Sequence, residues 1–148
     1  MPLTAIVLAA GEGTRMKSHH PKIVHKLLDK PLVWWSVNAA ITAGADRVIV
    51  VVGNHADEVK SALSCFPNLE YVAQTERLGT GHAVKVVKDA LGGFKGPVVV
   101  INGDASLLRA QSILDLVAET KAHHNACTVL TMTPPDPTGY GRVISSNG

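Results

Sequence analysis

No block of lysine or arginine occurs in this sequence of 148 residues, and its formal net charge is only +2, with a pI of about 8.6. So mild a balance excludes a nucleic-acid footprint, because duplex recognition needs clustered cations. Any anion the protein binds is small and held locally. Cysteine is scarce: Cys65 and Cys127 are the two, and neither has a partner at CxxC spacing. That excludes a disulfide scaffold and a zinc ribbon and leaves two free thiols, expected to be buried. No stretch approaches the ~20 apolar residues needed to cross a bilayer, which excludes membrane insertion. The apolar run Leu3–Ala10 has no Lys or Arg before it, is short, and passes directly into Gly11-Glu12-Gly13-Thr14-Arg15. It is therefore not a signal peptide, and the cytoplasm is the expected location. There is no internal repeat, linker or low-complexity segment, so a single domain is expected. What is present is an apolar share of 46% against 18% charged residues, which rules out a disordered chain. A chain of this length buries roughly two-thirds of the surface it exposes when unfolded.

Apolar runs alternate with helical patterns along the whole chain. Thr4–Ala9, Arg47–Val52, Glu70–Ala73, Pro97–Ile101 and Cys127–Met132 read as strands, the second ("RVIVVV") as one buried on both faces. Leu32–Ala43, Ala56–Ser64, Gly81–Leu91 and Ser112–Ala122 read as helices. In the third of these, Ala83, Val86, Val87 and Ala90 fall on one face. Strand and helix in alternation imply parallel βαβ units with right-handed crossovers and helices on both faces of the sheet. In such a fold ligands sit beyond the carboxyl ends of the strands.

The residues that follow each strand carry the chemistry. After the first comes "LAAGEGTRM". Two glycines one residue apart free backbone N–H groups to face an anion, and Arg15 adds a planar cation suited to phosphate oxygens. This is neither the GxxxxGK[ST] loop nor the three-glycine dinucleotide fingerprint. In "HHPKIVHKL", Pro21 fixes the backbone ahead of Lys22, a second candidate phosphate cation, while His19, His20 and His25 read as solvated or core-edge side chains rather than metal ligands. "QTERLGTGHA" supplies Gln74, whose amide can pair with donor and acceptor edges of a base. Thr80 is either a plain N-cap or part of a nucleotide site at a helix start. "NGDASLL" places Asp104 at a strand end, as an N-cap or as a hard oxygen ligand for Mg²⁺.

These segments, together with "DPTGYGR", resemble in order and spacing the uridylyltransferase domain of the bacterial N-acetylglucosamine-1-phosphate uridylyltransferases. "LGTGHA" and "PTGYGR" are the specific parts; the first loop is common to many nucleotidyltransferases. The resemblance implies a Rossmann-like nucleotidyltransferase fold. It implies transfer of UMP from UTP to N-acetylglucosamine-1-phosphate, with release of pyrophosphate. Arg15 and Lys22 then neutralise the triphosphate as catalytic cations. Leu8, Ala9, Ala10, Gly11 and Gly13 line the nucleotide site, Gln74 reads uracil with Gly79 and Thr80, Asp104 holds Mg²⁺ beside Asn102 and Gly103, and Gly141 approaches the sugar. In that family the domain is joined to a left-handed β-helix that acetylates glucosamine-1-phosphate and builds a homotrimer.

Two departures stand out. Ser106 occupies a place where the family usually has proline, and the chain stops at "GRVISSNG", where the family domain continues. On that reading residues 1–148 are the nucleotide-binding part of a C-terminally incomplete domain. The second metal ligand, most of the sugar grip and the β-helix are then absent. "SSNG" reads as a hairpin turn without its return strand, leaving an unpaired edge near Arg142–Ser145. The alternatives are a nucleotidyltransferase that uses CTP or dTTP, and a nucleotide-binding fragment without catalysis.

Overall fold

The computed structural model describes residues 2–11, 13, 18–76 and 78–145. In chain order, β1 (Thr4–Ala9) leads to a 3-10 turn (Lys22–Val24) and two short strands, β2 (Lys26–Leu27) and β3 (Lys30–Pro31). Then come α1 (Leu32–Thr42), β4 (Arg47–Val52), α2 (Ala56–Ala62), β5 (Leu69–Ala73), α3 (Thr80–Lys85), α4 (Lys88–Leu91), β6 (Val98–Asn102) and α5 (Ala110–Ala122). The main sheet has the order β5-β4-β1-β6, and every pairing in it is parallel. β2 and β3 form a separate antiparallel hairpin turned by Leu28 and Asp29, both at positive φ.

Alternation along the two central strands sorts the core into two layers. Ala5, Val7, Val48, Val50 and Val52 face Val33 and Val37 of α1, Val59 and Leu63 at α2, and Ile113 of α5. Ile6, Ile49 and Val51 face Ala83 and Val87 on the other side. Each fully buried Val or Ile contributes about 1.5–3 kcal/mol of hydrophobic stabilisation, so β1 and β4 anchor the domain. Helices therefore cover both faces, as expected of parallel strands that read as unbroken apolar runs.

This order also makes the site. From β1 the chain moves to β4 and then β5 on one side, crosses through α3 and α4, and returns to β6 on the other side of β1. That reversal opens a crevice at the carboxyl ends of β1 and β6. Ser36 of α1 holds one lip of it by donating its hydroxyl to the Asn102 carbonyl at 3.0 Å.

Several expectations need correction. Cys127–Met132 is not a strand: it forms no ladder, and Val129, Leu130 and Met132 are exposed. Its β-branched residues favour an extended backbone, but a strand exists only where a neighbour accepts its hydrogen bonds. Arg142–Ser145 likewise lies outside the sheet, whose edges are β5 and β6. The "SSNG" turn falls largely outside the described residues. The helix expected over Gly81–Leu91 is two pieces. At Val86 and Val87 the backbone tightens, with the Val87 N–H donating to the Val84 carbonyl three residues back. Crowded valines whose χ1 is restricted favour such a break, and Val87 is drawn onto the sheet. Both cysteines are free, as expected, but exposed rather than buried. Among the described residues no helix is long and apolar enough to cross a membrane.

Candidate active site

Three strand ends enclose one cleft of about 370 Å³. The end of β1 contributes Leu8, Ala10, Gly11 and Gly13, the end of β5 contributes Gln74 with Gly79 and Thr80, and the end of β6 contributes Asn102 and Asp104. Lys22 and Ile23 close one side, and Ala83 of α3 forms part of the wall. Ala9 sits just behind the cleft, buried in the layer against α1 and α5. Gly103 is also buried, and its N–H donates to the Leu8 carbonyl at 2.9 Å, which ties the last residues of β1 and β6 together.

The glycine loop and Lys22 are built as a unit. Gly13 has φ +62°, and a Cβ there would overlap the Cβ of Lys22. Only glycine lets the loop pass this close to the lysine backbone. Lys22 begins the 3-10 turn after Pro21, with the Val24 N–H donating to the Pro21 carbonyl at 3.1 Å. Its ammonium donates to Asp104 Oδ2 at 2.8 Å. Both side chains are about two-fifths exposed, so the pair adds only ~0–1 kcal/mol and either partner can exchange it for a phosphate oxygen or a cation.

Gln74 continues the β5 ladder by one bond, its N–H donating to the Val52 carbonyl at 2.8 Å. The residue is buried, and its side-chain nitrogen donates to the Gly79 carbonyl at 3.2 Å and lies 3.1 Å from His82 Nδ1. Gly79 has φ +93°, a conformation that side chains rarely adopt, and it is the residue that caps α3. Thr80, considered above as an N-cap, is the first helical residue instead.

Not every candidate joins the cleft. Gly141 is exposed and is not among the lining residues. Its segment folds on itself, Arg142 Nη1 donating to the carbonyls of Pro137 at 2.9 Å and Tyr140 at 2.7 Å. Arg15 lies outside the described residues. His20 and His55 both reach Glu58, at 2.7 and 2.8 Å, and their hydrogen bonds hold its carboxyl below the usual carboxylate range. That cluster tethers the segment before Lys22 to α2. The reading of the sequence missed His82, Ile23 and Ala83. The one signal for His82 was its place in "GTGHA", on the first turn of the helix that follows Gln74.

Among the described residues no group of three or more His, Cys, Asp or Glu could hold a metal. Asp104 offers a single carboxylate with Asn102 beside it. That set suits Mg²⁺ arriving with a nucleotide, since Mg²⁺ keeps its waters and binds through one or two carboxylates plus substrate phosphates.

Comparison with known proteins follows the same lines. The chain is 47% identical over 138 residues to the bifunctional protein GlmU of Cyanothece sp., an alignment covering 93% of this chain and 30% of that one. It thus spans about a third of the length of the curated relatives it matches. A Mycobacterium tuberculosis protein solved in complex with manganese superposes with a TM-score of 0.68 at 20% identity, over 82% of this chain and 61% of that one. A UDP-glucose pyrophosphorylase complexed with UDP-glucose gives 0.67 at 24% identity, over 84% and 55%. At those identities the two structures speak for the fold. A family model, the MobA-like NTP transferase domain, matches residues 5–144. With its parallel sheet, its strand-end cleft and that match along nearly its whole length, the chain belongs to the MobA-like NTP transferase family.

Proposed function

We propose that this chain is the nucleotide-holding part of an enzyme that transfers UMP from UTP to N-acetylglucosamine-1-phosphate, yielding UDP-N-acetylglucosamine and pyrophosphate. The observation that carries it is the convergence of Lys22, Gln74 and Asp104 on one cleft from three separate loops. The 47% identity to a GlmU protein supports the choice of sugar nucleotide. In this reading an oxygen of the sugar phosphate bonds to the α-phosphorus of UTP. The bond from that phosphorus to the oxygen bridging it to the β-phosphorus breaks, and pyrophosphate leaves.

Such a displacement needs alignment and charge neutralisation more than covalent catalysis. Gln74 engages the base, while the backbone from Leu8 to Gly11 flanks base and ribose. Lys22 leaves Asp104 for the triphosphate, and Arg15 is assigned to the same phosphates. Asp104 would hold Mg²⁺, which when bound offsets the charge gathering on the phosphate oxygens. Titration calorimetry of the chain with UTP, with and without Mg²⁺, tests the reading. UTP should bind in a Mg²⁺-dependent manner and more tightly than CTP or dTTP; equal binding of CTP would remove the uridine assignment.

A further inference from the structure

We propose that His82 is a positioning residue that, together with the Gly79 carbonyl, holds both hydrogens of the Gln74 amide, so that its carbonyl oxygen is the atom offered to the base. The inference rests on the reading of the cleft as a uridine nucleotide site. The Gly79 carbonyl can only accept a hydrogen bond, so the Gln74 amide nitrogen, not its oxygen, must face it at 3.2 Å. That nitrogen carries two hydrogens. The second points to His82 Nδ1 at 3.1 Å, which accepts it only when the imidazole is neutral with its proton on Nε2. Both amide hydrogens are then committed within the protein, and Gln74 has only Oε1 left for a ligand. His82 is half-buried on the first turn of α3, and the Gly79 conformation at φ +93° aims that turn back toward the end of β5. An acceptor at this position matches the N3–H of uracil. It opposes the N3 lone pair of cytosine at the same place. Without His82 the second amide hydrogen is uncommitted and can be offered to a ligand beside Oε1, and the distinction would fade.

Two measurements on the whole chain test this. In ¹⁵N-labelled protein, a nitrogen–nitrogen coupling across the Gln74–His82 hydrogen bond, with an unprotonated Nδ1 resonance, is expected without any nucleotide. Calorimetry should then show the UTP-to-CTP affinity ratio falling roughly two- to tenfold in His82→Ala, the worth of one neutral hydrogen bond. His82→Asn, which can place an acceptor near the Nδ1 position, should keep most of the ratio. A protonated Nδ1, an absent coupling, or a folded His82→Ala protein with an unchanged ratio would overturn the proposal. If His82→Ala fails to fold, the coupling and the His82→Asn ratio decide. Weak UTP binding beside an intact coupling counts against the uridylyl assignment and leaves the positioning of Gln74 standing.

Discussion

Lys22 Nζ and Asp104 Oδ2 lie 2.8 Å apart although 82 positions separate the two residues in the chain. The candidate phosphate cation and the candidate metal carboxylate therefore neutralise each other when no ligand bridges them. That pairing is expected to give way when a Mg²⁺–nucleotide engages both groups. In an enzyme that contains this domain, Lys22→Ala and Asp104→Asn should each lower turnover about 10²–10³-fold, the range seen when one preorganised charge-stabilising group is removed. Lys22→Arg should not restore it, because a planar fork replaces a point charge. Steady-state pyrophosphate release measures this, and wild-type rates in Lys22→Ala or Asp104→Asn would return that residue to a surface role.

Gly13→Ala should damage the site through Lys22. The added methyl collides with the Lys22 Cβ, and its φ of +62° strains any residue other than glycine. A stability loss of more than about 1 kcal/mol is expected. UTP affinity should fall further than that loss explains, because the lysine is displaced. Thermal melting and calorimetry on one preparation separate the two effects. Unchanged affinity would show that the loop and Lys22 move independently.

The core prediction contrasts a central strand with an edge strand. Ile49 is fully buried on β4, whereas Val100 on β6 is 45% exposed. Ile49→Ala should cost about 2–5 kcal/mol and Val100→Ala about 0.5 kcal/mol or less. Urea titrations with matched slopes would show it, and equal midpoint shifts would mean that β6 is covered in solution.

The pair Arg47–Glu70 gives a pH dependence. Two guanidinium nitrogens donate to the two carboxylate oxygens at 2.8 Å, and this hydrogen bonding holds the Glu70 carboxyl below its ordinary value. A lowered pKa in the folded state stabilises above the unfolded glutamate value of about 4.3, and that stabilisation disappears as pH falls through the folded value. Glu70 is 46% exposed, so the effect is small, ~0–1 kcal/mol. Wild type should be slightly more stable than Glu70→Gln at pH 7, and the gap should shrink as pH falls below the ordinary glutamate range. A gap that widens on acidification would contradict the pairing.

Much of this was legible from residue order. Thr4–Ala9 and Arg47–Val52 announce buried parallel strands because unbroken β-branched and aliphatic runs suit a sheet covered on both faces. The loops holding Gly13, Lys22, Gln74 and Asp104 could be marked because strand ends, glycines and charged or amide side chains recur there in sequence. Contacts between those loops follow from strand order instead. Asp104 meets Lys22 because β6 returns beside β1, a placement that no local spacing encodes. The same cause explains the failures. Cys127–Met132 has the residues of a strand, but pairing needs a neighbour's backbone groups, and none comes into register with it among the described residues. Gly141 belongs to a recognisable motif yet stands apart from the cleft, and His82 looked incidental until the turn at Gly79 brought it to Gln74. Local backbone preference and apolar periodicity act over a few residues and so can be read from the chain; hydrogen bonds between distant segments exist only once the sheet has brought them together.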